Sequence, residues 1–171
     1  MGEKNRRIYV LLTRMPDWGS RALSLCTLAY YTHASLGLDE DLNTFYSVCL
    51  KGFRVEDISR YNRSEKGPFP CALYEIPVFD KTYYRVRKTL DSISCGKKPP
   101  RYSHLGVALG VLGVEHRFSG KRFCSQFVSE ILERCGVVKL QKDSSLYMPN
   151  DFQRLPGLHL VFRGYLNHLH T

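Results

Sequence analysis

The chain has 171 residues, enough for one domain with a hydrophobic core of its own. Its hydrophobic content of 43% and aromatic content of 12% are typical of a packed globular protein and exclude a disordered chain. The net charge of +9 is unevenly distributed, so a basic stretch could meet an anionic partner or simply form a solvated surface. No zinc-finger spacing or RNP-type aromatic run accompanies that charge, so no specific nucleic-acid binding is expected. We predict a single domain over residues 1–171.

The cysteines and the start of the chain bear on the compartment. The six cysteines are widely scattered and none forms a C-x-x-C pair, which argues against a zinc site and gives no sign of a disulfide framework. Residues 1–7 are polar and basic, and the apolar run 8–12 is too short for the core of a signal peptide. The apolar stretch 105–114 is about half a membrane span. We therefore expect a cytoplasmic protein with reduced thiols, no transmembrane segment and no metal or cofactor.

The first half of the chain is predicted to be mostly strands. Residues 8–13 form a short apolar strand, and Ser20 can cap a helix that runs to about residue 29. Residues 32–38 and 43–50 are two strands joined by the acidic turn 39–41. A polar loop over residues 60–70 separates them from a strand over residues 71–78.

The second half is predicted to be richer in helix. Tyr83, Val86, Leu90 and Ile93 recur at helical spacing and predict a helix over residues 81–93. A short helix over residues 105–111, a helix that begins at Cys124, a turn or short helix at 149–152 and a strand at 158–162 complete the chain. Strands and helices are segregated rather than alternating, which indicates the α+β class.

The most informative residue is Cys124, in the first turn of an amphipathic helix. Phe127, Val128 and Ile131 lie on its apolar face, and Gly136 is the expected stop. Unpaired N–H groups and the positive end of the helix dipole lower a thiol's pKa and favour the nucleophilic thiolate. The alternative is a structural cysteine, because cysteine is among the most buried residue types.

A nucleophilic cysteine needs a nearby base, and His33 is the strongest candidate among the six histidines. It stands where a predicted helix gives way to a strand, whereas His168 and His170 belong to the polar tail. The end of a strand can hold an imidazole at a fixed distance from a helix terminus. The alternative is a partly buried histidine with a structural hydrogen bond.

The segments around His33 and Cys124 resemble two motifs of a known family of cysteine hydrolases. Residues 32–36 (Thr-His-Ala-Ser-Leu) resemble the histidine strand of the NlpC-type papain-like cysteine hydrolases, and residues 123–128 (Phe-Cys-Ser-Gln-Phe-Val) resemble their nucleophile helix. The histidine precedes the cysteine, as in the circularly permuted branch of YiiX-like and lecithin retinol acyltransferase-like proteins. The resemblance implies a papain-like α+β domain in which a small antiparallel sheet packs against the nucleophile helix.

The resemblance also implies a mechanism. Cys124 would attack a carbonyl carbon as a thiolate, and His33 would hold a proton and later deliver it to the leaving group. The backbone N–H of Cys124 would contribute to an oxyanion hole. Tyr102 lies where members of the family often carry a tyrosine that points at the same oxyanion. Its alternative role is that of a loop aromatic packed on the core.

The sequence alone does not decide which residue orients His33. If the hairpin turns near Glu40, His33 lies opposite Ser47, where the family usually has His, Asn, Gln, Glu or Asp. Glu56 is the nearest downstream carboxylate. A serine would hold the ring without a charge and would stabilise the imidazolium less.

The sequence thus predicts a thiol hydrolase, a cysteine peptidase or amidase that cleaves an amide or ester through a thioester. One alternative is a lipid-directed acyltransferase or thioesterase with the same dyad, and another is a non-catalytic module that binds through its cleft or basic face. Seven basic residues could contact an anionic surface or form a solvated helix face and loop. They are Lys81, Arg85, Arg87, Lys88, Lys97, Lys98 and Arg101.

Overall fold

The computed structural model describes residues 6–14, 29–38, 42–59 and 69–169. The predicted helix capped by Ser20 lies outside the described residues, as does nearly all of the predicted polar loop 60–70. In the part of the chain that the structure describes, each helix is too short or too polar to cross a lipid bilayer.

The centre of the fold is a six-stranded antiparallel sheet with the strand order β4-β3-β2-β1-β5-β8. Its strands are β1 (Arg6–Thr13), β2 (His33–Gly37), β3 (Thr44–Cys49), β4 (Gly52–Asp57), β5 (Pro70–Val78) and β8 (His159–Tyr165). Two further strands, β6 (Arg101–Tyr102) and β7 (Lys121–Arg122), form a separate parallel pair. The α+β class is therefore confirmed.

Three α-helices accompany the sheet in the described residues: α1 (Asp80–Ser94), α2 (His104–Val111) and α3 (Cys124–Arg134). Short 3-10 helices span Ser144–Leu146, Pro149–Arg154 and Leu166–His168. The predicted start of α3 at Cys124 is confirmed. Gly136 follows its end with a φ of +71°, the left-handed conformation in which glycine terminates helices.

The main core lies between one face of the sheet and helices α1 and α3. It includes Val10, Leu36, Leu90, Val128 and Leu132, each of them completely buried. A smaller cluster that contains Leu11, Phe45 and Leu73 covers the other face. Because α3 packs against the centre of the sheet, its first residue is fixed relative to β2.

Strand β4 was not predicted from the sequence. Its side chains alternate between buried and exposed only weakly, and Arg54 and Val55 are both exposed. Short strands with charged side chains are typical of sheet edges, and β4 is an edge strand. The strand nevertheless places Glu56 on the sheet.

The predicted pairing of His33 with Ser47 is wrong by two residues. The observed register pairs Leu36 with Tyr46 and Gly37 with Phe45, so its continuation places Ser47 opposite Ser35. A shift of two residues preserves the face of the sheet, so Ser47 still shares a face with His33.

We expect Leu132→Ala to destabilise the protein by about 2–5 kcal/mol, because Leu132 is completely buried where α3 meets the sheet. Urea unfolding measures the change. The matched control is Glu133→Ala on the exposed side of the same helix, with an expected change of at most ~0.5 kcal/mol. Equal effects of the two substitutions would contradict the packing described for α3.

Candidate active site

Cys124 is the first residue of α3, directly after the extended residue Phe123. The Cys124 side chain is buried, with 5% of the residue exposed. The backbone N–H groups of Ala34 and Ser125 face its sulfur and act to lower its pKa. The thiol therefore lies where the N-terminus of α3 meets β2, and two amide dipoles point at it.

His33 is the first residue of β2 and is paired in register with Thr13 of β1. It is buried, and its imidazole lies beside the thiol of Cys124, which raises the pKa of the ring. The structure thus brings together the two residues that the sequence proposed as nucleophile and base, although 91 positions separate residues 33 and 124. Backbone hydrogen bonds on β2 hold the imidazole, and α3 holds the thiol.

The other side of the His33 ring faces a carboxylate. His33 Nε2 lies 3.3 Å from Glu56 Oε1, which is ion-pair distance, although the two atoms are not aligned as a hydrogen bond. Ser47 Oγ donates a hydrogen bond of 2.8 Å to the same Glu56 oxygen. Glu56 and Ser47 are both buried. Of the two orienting candidates, Glu56 faces the histidine and Ser47 stands behind Glu56.

The three ionisable groups change one another's pKa. Burial acts to lower the pKa of His33, but the charge of Glu56 and the contact with Cys124 outweigh it, so that pKa lies well above its ordinary value of 6.5. Burial acts to raise the pKa of Cys124, but His33 and the two backbone donors bring it below 9.0. The pKa of Glu56 is lowered, because His33 and Ser47 offset the effect of burial.

All three shifts favour the same charge distribution: an imidazolium between a thiolate and a carboxylate. Such a line of groups can present a nucleophilic sulfur and an acidic proton side by side. That is the chemical requirement for acyl transfer through a thioester.

The pairing of β6 with β7 brings Tyr102 to the segment that precedes the nucleophile. Tyr102 pairs in β6 with Arg122 of β7, two residues before Cys124, and Ser103 N donates to Arg122 O at 3.0 Å. The Tyr102 ring is partly buried against the main core and meets the His104 ring edge-on at 4.9 Å. Its place beside the β7–α3 segment is compatible with the predicted oxyanion role, which stays a prediction.

Sequence reasoning missed one contributor, the backbone N–H of Ala34. Its position facing the sulfur depends on how α3 docks against β2, and no residue type indicates that docking. The contribution of the Ser125 N–H could be expected from the sequence, because Cys124 begins a helix and the first N–H groups of a helix have no intrahelical partner.

We predict that alkylation of Cys124 by iodoacetamide follows a pH profile with its midpoint below 9.0, because the thiolate is the reactive form and its pKa is lowered. Peptide mass mapping of the rate at each pH measures the profile. Removal of the imidazolium in His33→Ala raises the midpoint.

The internal control is Cys71, for which burial raises the thiol pKa to about 12, so it stays unreactive over the range in which Cys124 reacts. A Cys124 midpoint at or above 9.0, or one that His33→Ala leaves in place, would contradict the electrostatic description of the site.

The fold is similar to that of the metalloprotein YiiX (DUF1105) from Escherichia coli O157:H7, known from a crystal structure. The TM-score is 0.68 over 95% of this chain and 99% of that chain, with 10% sequence identity. Neither the protein-family models nor the curated protein sequences give a match. At this identity the likeness concerns the fold alone. The predicted resemblance to YiiX-like proteins is therefore confirmed for the fold only.

The described residues do not fit a metal centre. They contain no group of three or more His, Cys, Asp or Glu side chains that could hold a metal ion. Cys124, His33 and Glu56 are neighbours, but they do not form such a group.

Proposed function

We propose that the chain is a thiol hydrolase of the circularly permuted NlpC-type, papain-like branch. It cleaves an amide or ester through a thioester on Cys124. The observation that carries this proposal is the buried line of Cys124, His33 and Glu56, in which the imidazole contacts the thiol on one side and the carboxylate on the other.

In the acylation step the thiolate of Cys124 attacks the substrate's carbonyl carbon, and the carbonyl electron pair moves onto oxygen. The N–H of Cys124 and the hydroxyl of Tyr102 are the proposed donors to that oxyanion. When the tetrahedral intermediate collapses, the imidazolium of His33 protonates the leaving amine or alcohol. The acyl group then remains on sulfur as a thioester.

In the deacylation step the now neutral His33 accepts a proton from water while the water oxygen attacks the thioester carbon. Collapse releases the carboxylic acid and restores the thiolate and the imidazolium. Glu56 stabilises the imidazolium that is present before acylation and again after deacylation. Ser47 fixes the carboxylate through its hydrogen bond.

A comparison within the chain supports a chemical role for Cys124 over a structural one. Cys71 is another buried thiol, and burial raises its pKa to about 12. Cys124 is also buried, yet its pKa is lowered because His33 and two backbone N–H groups face the sulfur. An inert core cysteine has no need of these partners.

A lipid-directed acyltransferase is the second candidate, and exposed aliphatic side chains favour it. Leu105 is 60% exposed and Leu112 is 75% exposed, on and just after α2. Leu105 also lines a cavity together with Tyr102 and Phe118, whose remaining lining residues are Ser103, His104 and Lys121. Apolar surface next to the proposed oxyanion residue suits an acyl chain.

The test is to trap the acyl-enzyme with p-nitrophenyl acetate and to locate the acetyl group by mass spectrometry. We expect it on Cys124 and expect none in Cys124→Ala. Glu56→Gln keeps the shape of the side chain but loses the charge that stabilises the imidazolium. Acylation should then slow on the order of 100-fold.

The matched control is Glu133→Gln, an exposed glutamate on α3, which should acylate at the wild-type rate. Much faster acylation by a long-chain ester than by the acetate would favour the lipid-directed candidate. Absence of acyl-Cys124 with both esters would overturn the hydrolase proposal and favour a binding module.

A further inference from the structure

A separate cavity of about 270 Å³ lies between α1 and α3. Neither Cys124 nor His33 lines it, so it is distinct from the proposed catalytic site. Its apolar wall consists of Ile93 from α1 and of Phe127 and Ile131 from α3. This wall can cover the hydrocarbon part of a ligand.

Four basic side chains surround this apolar wall: Arg85, Lys98, Arg122 and Arg134. Glu130 is the single carboxylate among the lining residues, and Arg122 Nε contacts its Oε2 at 2.6 Å. The charge of Glu130 is therefore already matched. With four basic side chains and one carboxylate, the lining residues carry a net charge of +3.

The four cations are not equally engaged. Arg85 Nη1 donates to the backbone oxygen of Cys135 at 3.0 Å, which caps the end of α3. Arg122 also donates to the backbone oxygens of Phe118 and Lys121. Lys98 and Arg134 are exposed, and within the described residues neither has a hydrogen-bond or ion-pair partner. These two cations are free to meet an anion.

We propose that this cavity binds a small organic anion, a phosphate or carboxylate attached to a short apolar group. Lys98 and Arg134 would bind the anionic group, and Ile93, Phe127 and Ile131 would pack against the apolar part. The volume is slightly below the range of about 300–1,000 Å³ that is common for drug-sized ligands. It therefore suits a compact ligand.

The cavity divides the basic stretch that the sequence indicated. Arg85 and Lys98 line it, whereas Arg87 donates to the Tyr83 hydroxyl at 2.7 Å and its guanidinium lies over that ring. Lys88 is exposed on α1 and does not line the cavity. If the basic stretch only formed a solvated surface, anion binding would depend on all of these cations to a similar degree. If the cavity is the binding site, binding depends on the cations that line it.

The test is calorimetric titration of the full chain with phenyl phosphate. We expect Arg134→Gln and Lys98→Gln each to weaken binding about tenfold, the loss typical of one hydrogen bond to a charged group. The matched control is Lys88→Gln, which removes the same charge from α1 outside the cavity and should bind like the wild type. Phenol, which lacks the anionic group, should bind at least tenfold more weakly.

Vesicles of phosphatidylcholine with and without phosphatidylglycerol identify the source of the anion. Binding of phenyl phosphate points to a soluble ligand, and Arg134-dependent binding of the phosphatidylglycerol vesicles alone points to a lipid headgroup. Binding that Lys88→Gln and Arg134→Gln weaken equally would overturn the proposal, as would no binding of either probe. Neither result depends on acylation of Cys124, so the two proposals fail independently.

Discussion

The buried ion pair between His33 and Glu56 is the interaction on which the rest of the site depends. A charge removed from water is costly unless a partner and hydrogen bonds compensate it. Here the 3.3 Å approach of the two side chains and the Ser47 hydrogen bond supply that compensation. The imidazolium in turn lowers the pKa of Cys124. Without Glu56, only the contact with Cys124 would offset the effect of burial, which lowers the pKa of His33.

Four elements of secondary structure contribute these groups. The neighbouring strands β2, β3 and β4 contribute His33, Ser47 and Glu56, and α3 contributes Cys124. Each side chain is held by a rigid element rather than by a loop. Because α3 also packs on the main core, the distance from sulfur to imidazole is set by the same contacts that stabilise the protein.

Local patterns were sufficient for part of this arrangement. The apolar period after Cys124 and the stop at Gly136 predicted α3, and the residues around His33 predicted its strand. The choice between Ser47 and Glu56 could not be made from the sequence. It depends on the register across residues 39–41 and on β4, an edge strand with a weak alternation pattern. Cross-strand neighbours are tertiary information, which the spacing of residues along a chain does not contain.

The central claim is that His33 is a cation held between a thiolate and a carboxylate. The most direct measurement is nitrogen NMR of the His33 ring in the protein near neutral pH. Glu56 and Cys124 stabilise the protonated ring, so we expect both ring nitrogens to carry a proton, and we expect Glu56→Gln to remove one of them. A neutral, single-tautomer His33 in the wild-type protein would contradict this description of the site.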